Sequence, residues 1–231
     1  MGFYEPDDQT DSIHLVRRGS GRAYKTNTMN YTELAFSDDI KAIQERMGSR
    51  GTYERMEKMS FVDGLTAVEN GFINDMDSFF IASYGDNGYP YIQHRGGPKG
   101  FIKVIDNRTI GIVDFSGNRQ YISVGNITKQ PSVSLILVSY PMRARLKIYA
   151  DAEYVEISDN PSLYDFLKPE NYRFKPERLM LFHIKAYDWN CPQHITPRFS
   201  QAEIEKVNEA QSLYIQQLEK EVEMLRTKLN G

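Results

Sequence analysis

Basic residues are concentrated in one short part of the chain, residues 93–147. This segment carries nine Lys or Arg residues against two Asp residues, so its net charge is +7. Because the whole chain of 231 residues carries −3, the remainder carries −10. Gly, Ser, Asn and Gln separate the basic residues, so side chains and backbone N–H groups can converge on a phosphate. The segment predicts a site for one small anionic ligand, and nine solvated charges on outward strand faces are the alternative.

The first candidate site is the run Gln93-His94-Arg95-Gly96-Gly97-Pro98-Lys99-Gly100. Arg95 supplies a permanent positive charge, and the three glycines would let a ligand approach the backbone closely. We therefore predict an anion site at Arg95 that also uses the residues around it, Gln93, His94, Gly96 and Lys99.

The second candidate site follows a predicted strand that ends near Phe115. It offers four side chains that can donate hydrogen bonds to a phosphate or to the polar edge of a heterocycle: Ser116, Asn118, Arg119 and Gln120. The alternative is a polar turn in which Ser116 or Asn118 caps a short helix.

The third candidate site is the segment from Asp188 to Arg198, which holds the only Trp and the only Cys of the chain. Trp189 can cover an aromatic ligand, and Gln193 and Arg198 can bind the rim of that ligand. A structural plug is the alternative. Cys191 and His194 have the spacing of a zinc-ligand pair, but two ligands do not close a site, so we predict no metal. Cys191 could also act as a nucleophile paired with His94 or His194. A rigid segment that contains Trp189 and Pro192 is more typical of the lining of a cofactor site than of such a pair.

The elements that must position these sites are short strands separated by turns. Strands are predicted near residues 79–84, 90–95, 101–105, 110–115, 133–140, 145–157 and 178–187, with Gly85-Asp86-Asn87-Gly88 as a hairpin turn. Helices are predicted from Ser37 to about Met47, over 65–74 and within 161–176. Many short strands with turn signals indicate a small β-barrel or sandwich.

The character of the chain changes at Ser200. Gly and Pro are absent from there until Gly231, and apolar residues fall on a heptad: Ile215, Leu218, Val222, Leu225 and Leu229. β-branched residues at position a with Leu at position d favour a parallel two-stranded coiled coil. A helix packed back on its own barrel is the alternative. We divide the chain into a segment 1–60 that packs on the barrel, a barrel domain 61–199 and a helix 200–231.

Composition excludes several classes of protein. With 40% hydrophobic and 12% aromatic residues the chain can bury a substantial core, and one Cys excludes an internal disulfide framework. The most apolar run, Val133–Tyr140, is much shorter than a membrane span of about 20 residues. A net charge of −3 and an acidic, polar N-terminus favour a cytoplasmic protein that binds neither nucleic acid nor membrane. No phosphate-binding P-loop or dinucleotide fingerprint is present.

Together these segments resemble the flavin-nucleotide-binding proteins related to pyridoxamine 5′-phosphate oxidase. The matching stretches, within about residues 61–200, are Asp77–Ala82, Gly88–Pro98, Asp114–Asn126, Arg143–Ile148 and Trp189–Arg198. The resemblance implies a mainly β (α+β) fold, a split β-barrel with flanking helices. It also implies a homodimer that holds FMN at the interface between its subunits.

The resemblance further implies roles for individual residues. Phosphate would be bound after the second and fourth strands, by Gln93, His94 and Arg95 and by Ser116, Asn118, Arg119 and Gln120. Arg145 matches a strand position that contacts the flavin, across the interface, and Trp189 and Arg198 match a Trp and an Arg of the oxidase's C-terminal segment. Two oxidase patterns are altered here, at Gly96-Gly97-Pro98 and at Asn118-Arg119-Gln120, so the vitamin B6 substrate site does not carry over.

The predicted function is therefore that of an FMN-binding flavoprotein and oxidoreductase. It would pass electrons from a reduced donor, such as NAD(P)H, to a small-molecule acceptor, because a flavin itself supplies the redox chemistry. This would explain why the sequence contains no evident catalytic dyad. The alternatives are a flavin carrier or sensor without turnover, and the same fold with haem or a deazaflavin.

Overall fold

The computed structural model describes residues 29–59, 61–190 and 192–230. The N-terminal part forms β1 (Met29–Asn30), α1 (Tyr31–Ala35), α2 (Asp38–Arg46), α3 (Arg50–Met59), β2 (Phe61–Val62) and α4 (Ala67–Asn74). The strand-rich part forms β3 (Ser78–Tyr84), β4 (Pro90–Gly96), β5 (Lys103–Asp106), β6 (Thr109–Phe115), α5 (Ile122–Lys129), β7 (Ser132–Ser139) and β8 (Ala144–Val155). The chain continues with α6 (Pro161–Leu167), β9 (Pro176–Asn190) and α7 (Gln201–Asn230).

Seven strands form one antiparallel sheet in the order β4-β3-β7-β8-β9-β6-β5. Although β4 lies at one edge and β6 near the other, Arg95 on β4 contacts Asp114 on β6. The sheet is therefore rolled, and the two side chains meet where it closes. This is the predicted mainly β, α+β split barrel with flanking helices and a long C-terminal helix.

Alternation along the strands fills the interior of the barrel. On β7, Val133, Leu135 and Leu137 are buried while the residues between them are partly exposed, as the two-residue period of a strand requires. Leu146 and Ile148 of β8 and Phe182 of β9 join the same core. A second cluster forms where α6 packs on the barrel, with Leu163 and Leu167 against Val113, Leu179 and Leu181.

Several local predictions are confirmed. Tyr84 pairs with Pro90 across the predicted hairpin turn, in which Gly88 adopts a left-handed φ of 75°. Ser37 caps α2, with its Oγ accepting a hydrogen bond from Ile40 N at 3.4 Å. The helix predicted within 161–176 is shorter than expected. It ends at Leu167 because Lys168, which precedes Pro169, is extended.

Two of the alternative interpretations do not hold. Neither Ser116 nor Asn118 caps α5, because Tyr121 stands at its N-cap and no side chain bonds there. The C-terminal helix does not pack back on its own barrel, since every residue of α7 from Ile204 to Leu229 is exposed. No helix in the described part of the chain is long and apolar enough to cross a membrane.

Candidate functional site

Four side chains meet where the barrel closes, and we call them the closure cluster: Arg95, Asp114, Tyr154 and Arg178. Arg95 Nη1 donates a hydrogen bond to Asp114 Oδ1, and the two side chains are only 15% and 5% exposed. Arg178 stands opposite Asp114 in the register of β6 and β9. Its guanidinium carbon lies 5.5 Å from the centre of the Tyr154 ring.

Burial dominates the electrostatics of this cluster. It raises the pKa of the Asp114 carboxyl above its ordinary value, although the positive charges of Arg95 and Arg178 act in the opposite direction. Burial and the nearby Asp114 also raise the pKa of Tyr154. A dianionic ligand at Arg95 would therefore lie beside a buried carboxylate. The structure places Arg95 in the closure of the barrel, where its charge already has a partner.

The residues around Arg95 contribute in different ways. Gln93 faces α5, and its Oε1 accepts a hydrogen bond from Ser123 Oγ at 2.6 Å. His94 lies on the outer face of β4 against Phe80, with ring centres 5.3 Å apart. A Cβ added at Gly97 would lie 2.6 Å from the Phe101 ring, so this glycine serves core packing rather than approach of a ligand. Lys99 is exposed, and so is Gly96.

The loop that joins β6 to α5, residues 116–121, has a different character, and we call it the β6–α5 loop. Asn118, Arg119 and Gln120 are exposed, and Asn118 Oδ1 accepts a hydrogen bond from Gln120 N at 3.2 Å. Arg119 and Tyr121 have φ values of 60° and 54°. The left-handed region is unfavourable for residues with a Cβ, and such strain concentrates at functional sites.

This loop delivers the chain to the uncapped N-terminus of α5. The first N–H groups of a helix have no acceptor within it, and the helix dipole makes that end positive. No side chain caps α5, which leaves the first turn open to an external acceptor. Arg119 and the donors of Ser116 and Gln120 stand beside it. The donor set fits a phosphate group.

A second group of predicted residues lies near the C-terminal end of β9. Trp189 Nε1 donates a hydrogen bond to Glu69 Oε1 at 2.7 Å, and its ring meets the edge of Phe72 at 4.7 Å between centres. Burial raises the pKa of Glu69, but hydrogen bonds from Thr66 and Trp189 outweigh it and hold that pKa below its ordinary value. These contacts give Trp189 the structural role that was the alternative to covering a ligand.

The other members of this group are more accessible. Arg145 is partly buried and lies opposite Asn190 in the register of β8 and β9. Gln193 and Arg198 are exposed, and the Arg198 guanidinium carbon lies 4.9 Å from the centre of the Tyr140 ring. We call Arg145, Trp189, Gln193 and Arg198 the β9-end group.

The two groups of predicted residues lie far apart within one chain. Tyr154 of the closure cluster and Arg145 of the β9-end group stand at opposite ends of β8, nine residues apart. At the rise of a strand this is about 30 Å along the strand. The structure thus brings Gln93 and Arg95 close to the β6–α5 loop, but it does not bring Arg145, Trp189, Gln193 and Arg198 to them.

Sequence reasoning missed Arg178, Tyr121 and Ser123. The Arg178 guanidinium carbon lies 5.3 Å from the centre of the Tyr121 ring, so it holds the start of α5 against β9. Arg178 lies outside the basic segment 93–147, and only the register of β6 against β9 brings it to Asp114. Cys191 lies outside the described residues. Among the residues that the structure describes, no group of three His, Cys, Asp or Glu could hold a metal ion.

Comparison with known proteins identifies the family. The sequence profile of the family described as pyridoxamine 5′-phosphate oxidase matches residues 65–187, which is more than half of the chain. The chain therefore belongs to the pyridoxamine 5′-phosphate oxidase family, as the resemblance predicted. No curated protein matches it.

Solved structures provide distant likenesses. HupZ of Group A Streptococcus is 12% identical, with a TM-score of 0.43, over 58% of this chain and 99% of that one. An FMN-binding protein from Syntrophomonas wolfei is 13% identical, with a TM-score of 0.41, over 66% of this chain and 97% of its own. A Clostridium acetobutylicum protein related to general stress protein 26 is 15% identical, with a TM-score of 0.40, over 59% and 94% of the two chains.

Proposed function

We propose that this protein is a flavoprotein whose β6–α5 loop and α5 N-terminus bind the phosphate of FMN. The observation that carries the proposal is the loop itself. Two non-glycine residues, Arg119 and Tyr121, are held in left-handed conformations beside a helix end that no side chain caps. Ser116, Asn118, Arg119 and Gln120 supply further donors. Gln93 and Arg95 lie behind this site and support α5 and the barrel.

The proposed site is completed by a second copy of the chain. The β9-end group is about 30 Å from the closure cluster along β8, too far for one FMN to contact both. We propose that Arg145, Trp189, Gln193 and Arg198 of one subunit face the phosphate site of the other. Flavin binding then requires a homodimer. Trp189 would line that site as part of a rigid surface, because its ring packs on Phe72 and its Nε1 donates a hydrogen bond to Glu69.

The proposed activity is that of an oxidoreductase with a small-molecule acceptor. A bound flavin supplies electron and hydride transfer, so the chain has to bind it, orient it and exclude water. Membership of an oxidase family supports this activity. NAD(P)H is the proposed donor, and the cytoplasm is the proposed location.

The direct test of the cofactor is mass spectrometry and absorbance of the ligand released from the purified full-length chain. FMN is the expected ligand. A Soret band would instead identify haem as the ligand, and a deazaflavin spectrum would identify a deazaflavin. Anaerobic titration with NADH and NADPH then tests turnover. A flavin that stays oxidised with every donor would leave a carrier or sensor instead of an enzyme.

The test of the site is the substitution Arg119→Ala in the apoprotein titrated with FMN. Loss of one charge-assisted hydrogen bond should weaken FMN binding about ten- to a hundredfold. Lys129→Ala is the matched control, because it removes the same charge from the other end of α5, where the side chain is 66% exposed. Equal weakening by both variants, or by neither, would remove the loop from the site.

A further inference from the structure

Helix α7 presents an apolar stripe that the barrel does not use. Ile215, Leu218, Val222, Leu225 and Leu229 are between 41% and 85% exposed. Nothing in the described part of the chain covers them, since every residue of α7 from Ile204 to Leu229 is exposed. Apolar side chains that recur along one face of an exposed helix indicate a surface that binds another helix.

The residue types on the stripe select the kind of partner. Ile215, Val222 and Leu229 occupy position a of a heptad, and Leu218 and Leu225 occupy position d. β-branched residues at a, here Ile215 and Val222, with Leu at d favour a two-stranded coil. The same register places Asn208 at position a, one heptad before Ile215. A single Asn at this position favours a dimer and fixes its register. The stripe is therefore complementary to a second copy of itself.

Charges beside the stripe are compatible with a parallel orientation of the two helices. In a parallel pair, Glu221 at position g faces Arg226 of the partner subunit at position e, and the attraction occurs twice. In an antiparallel pair g faces g and e faces e, and the contacts depend on the register. One register sets Glu219 and Glu221 against their own copies, whereas the register one heptad further along sets Glu219 against Arg226 and Glu221 against Lys228. The charges therefore permit the parallel arrangement without selecting it, and Asn208, which faces its own copy at position a only in a parallel pair, favours it.

The charge of the helix also disfavours a membrane surface as the partner. Between Gln201 and Asn230 there are six acidic and four basic residues, a net charge of −2. Helices that lie on anionic membranes carry a strongly basic polar face. A lipid surface therefore would not attract α7 electrostatically.

We propose that α7 pairs in parallel with α7 of a second copy and tethers the two barrels of the flavin-binding dimer. The apolar seam covers only Ile215 to Leu229, so the coil alone is weak. It acts because each helix is covalently joined to a barrel, which raises the effective concentration of its partner to the millimolar range. The tether rests on the proposed barrel dimer, and it would keep flavin bound when the protein is dilute.

The orientation is tested by cysteine cross-linking in full-length Cys191→Ser protein. Ile215→Cys and Leu229→Cys, each alone, should form disulfide-linked dimers under mild oxidation, because residues at a face their own copies in a parallel coil. Gln217→Cys lies at position c and is the control, with at least about tenfold less cross-linking expected from its position outside the seam. In an antiparallel coil position a faces position d, so cross-linking only between Ile215→Cys and Leu225→Cys chains, or only between Leu218→Cys and Leu229→Cys chains, would mean an antiparallel pair and overturn the proposal. So would equal yields at all three positions.

The tether is tested by dilution of FMN-loaded protein, with flavin release and sedimentation as readouts. Leu225→Asp should raise the dissociation constant of the dimer about a hundredfold, whereas Met224→Asp, on the outer face of the same helix, should leave it unchanged. Equal dissociation of wild type and Leu225→Asp would overturn the tether while leaving the flavin site intact. Tail cross-linking without any flavin binding would overturn the proposed function and leave the coil in place.

Discussion

The two ends of the β8–β9 pair each bury one carboxylate, and the two carboxylates respond to burial in opposite ways. Asp114 lies between Arg95 and Arg178, yet burial raises its pKa. Glu69 is also buried, but it accepts hydrogen bonds from Thr66 and Trp189, and its pKa is lowered. The opposite directions have two causes, since Asp114 lies deeper in the protein than Glu69 and hydrogen bonds reach both carboxylate oxygens of Glu69. The end that holds Asp114 therefore closes the barrel, and the end that holds Glu69 anchors Trp189.

The largest expected effect comes from breaking the closure cluster with Arg95→Met. The methionine matches the stem of arginine but leaves Asp114 as a buried carboxylate without its hydrogen-bonded partner. The free energy of unfolding at pH 7 should fall by about 3–5 kcal/mol, measured by chemical denaturation.

The double variant Arg95→Met/Asp114→Asn is the control for this effect, because it removes both charges. It should recover most of the lost stability. FMN binding by the stable double variant then separates two roles of Arg95. Wild-type affinity would assign Arg95 to barrel closure alone, and weakened binding would return it to the phosphate site.

The second effect tests the opposite pH behaviour of the two ends. Glu69→Gln keeps the shape of the side chain but loses the charged acceptor, so the free energy of unfolding at pH 7 should fall by about 1–2 kcal/mol. Because the pKa of Glu69 is lowered in the folded state, its contribution is present above the ordinary value of 4.5 and is lost as pH falls through the folded value. The difference between wild type and Glu69→Gln should shrink in acid.

Asp114→Asn should show the opposite dependence on pH. Since the pKa of Asp114 is raised on folding, its ionisation reduces stability as pH rises from the ordinary value of 3.8 through the folded value. The variant should therefore gain stability relative to wild type over that range. Urea denaturation from pH 3 to pH 7 measures both variants, and parallel curves for the two would contradict the comparison.

The smallest expected effect concerns the β6–α5 loop, which adjoins the closure cluster but is exposed. Arg119→Gly relieves the left-handed strain at φ 60° and should raise the free energy of unfolding by about 0.5–1 kcal/mol relative to Arg119→Ala. Both variants lack the guanidinium, so both should weaken FMN binding equally. If the loop keeps a strained backbone in order to bind the ligand, Arg119→Gly should gain this stability over Arg119→Ala and still bind FMN more weakly than the wild type. A glycine variant that is no more stable than the alanine variant would contradict it.

Much of the fold could be predicted because its signals are local. The alternation of apolar residues in Val133–Ser139, the Asn87-Gly88 turn and the Ser37 cap each act within a few residues, and all three appear in the structure. The polar run Ser116–Gln120 after β6 is also visible in the sequence, and its residues Asn118, Arg119 and Gln120 are exposed. The family was predicted for the same reason, from the order of its motifs.

The sequence by itself therefore determined the strands, the barrel class, the heptad of α7 and the concentration of basic residues. Only the tertiary structure decided what those basic residues face. Arg95 and Arg119 are equivalent by type, but the rolled sheet brings Asp114 to Arg95 and leaves Arg119 in solvent. The physical reason is that charge pairing across a barrel depends on strand order and closure, in which residues distant along the chain become neighbours. The same closure sets Arg178 beside Asp114 and holds the β9-end group at the far end of β8.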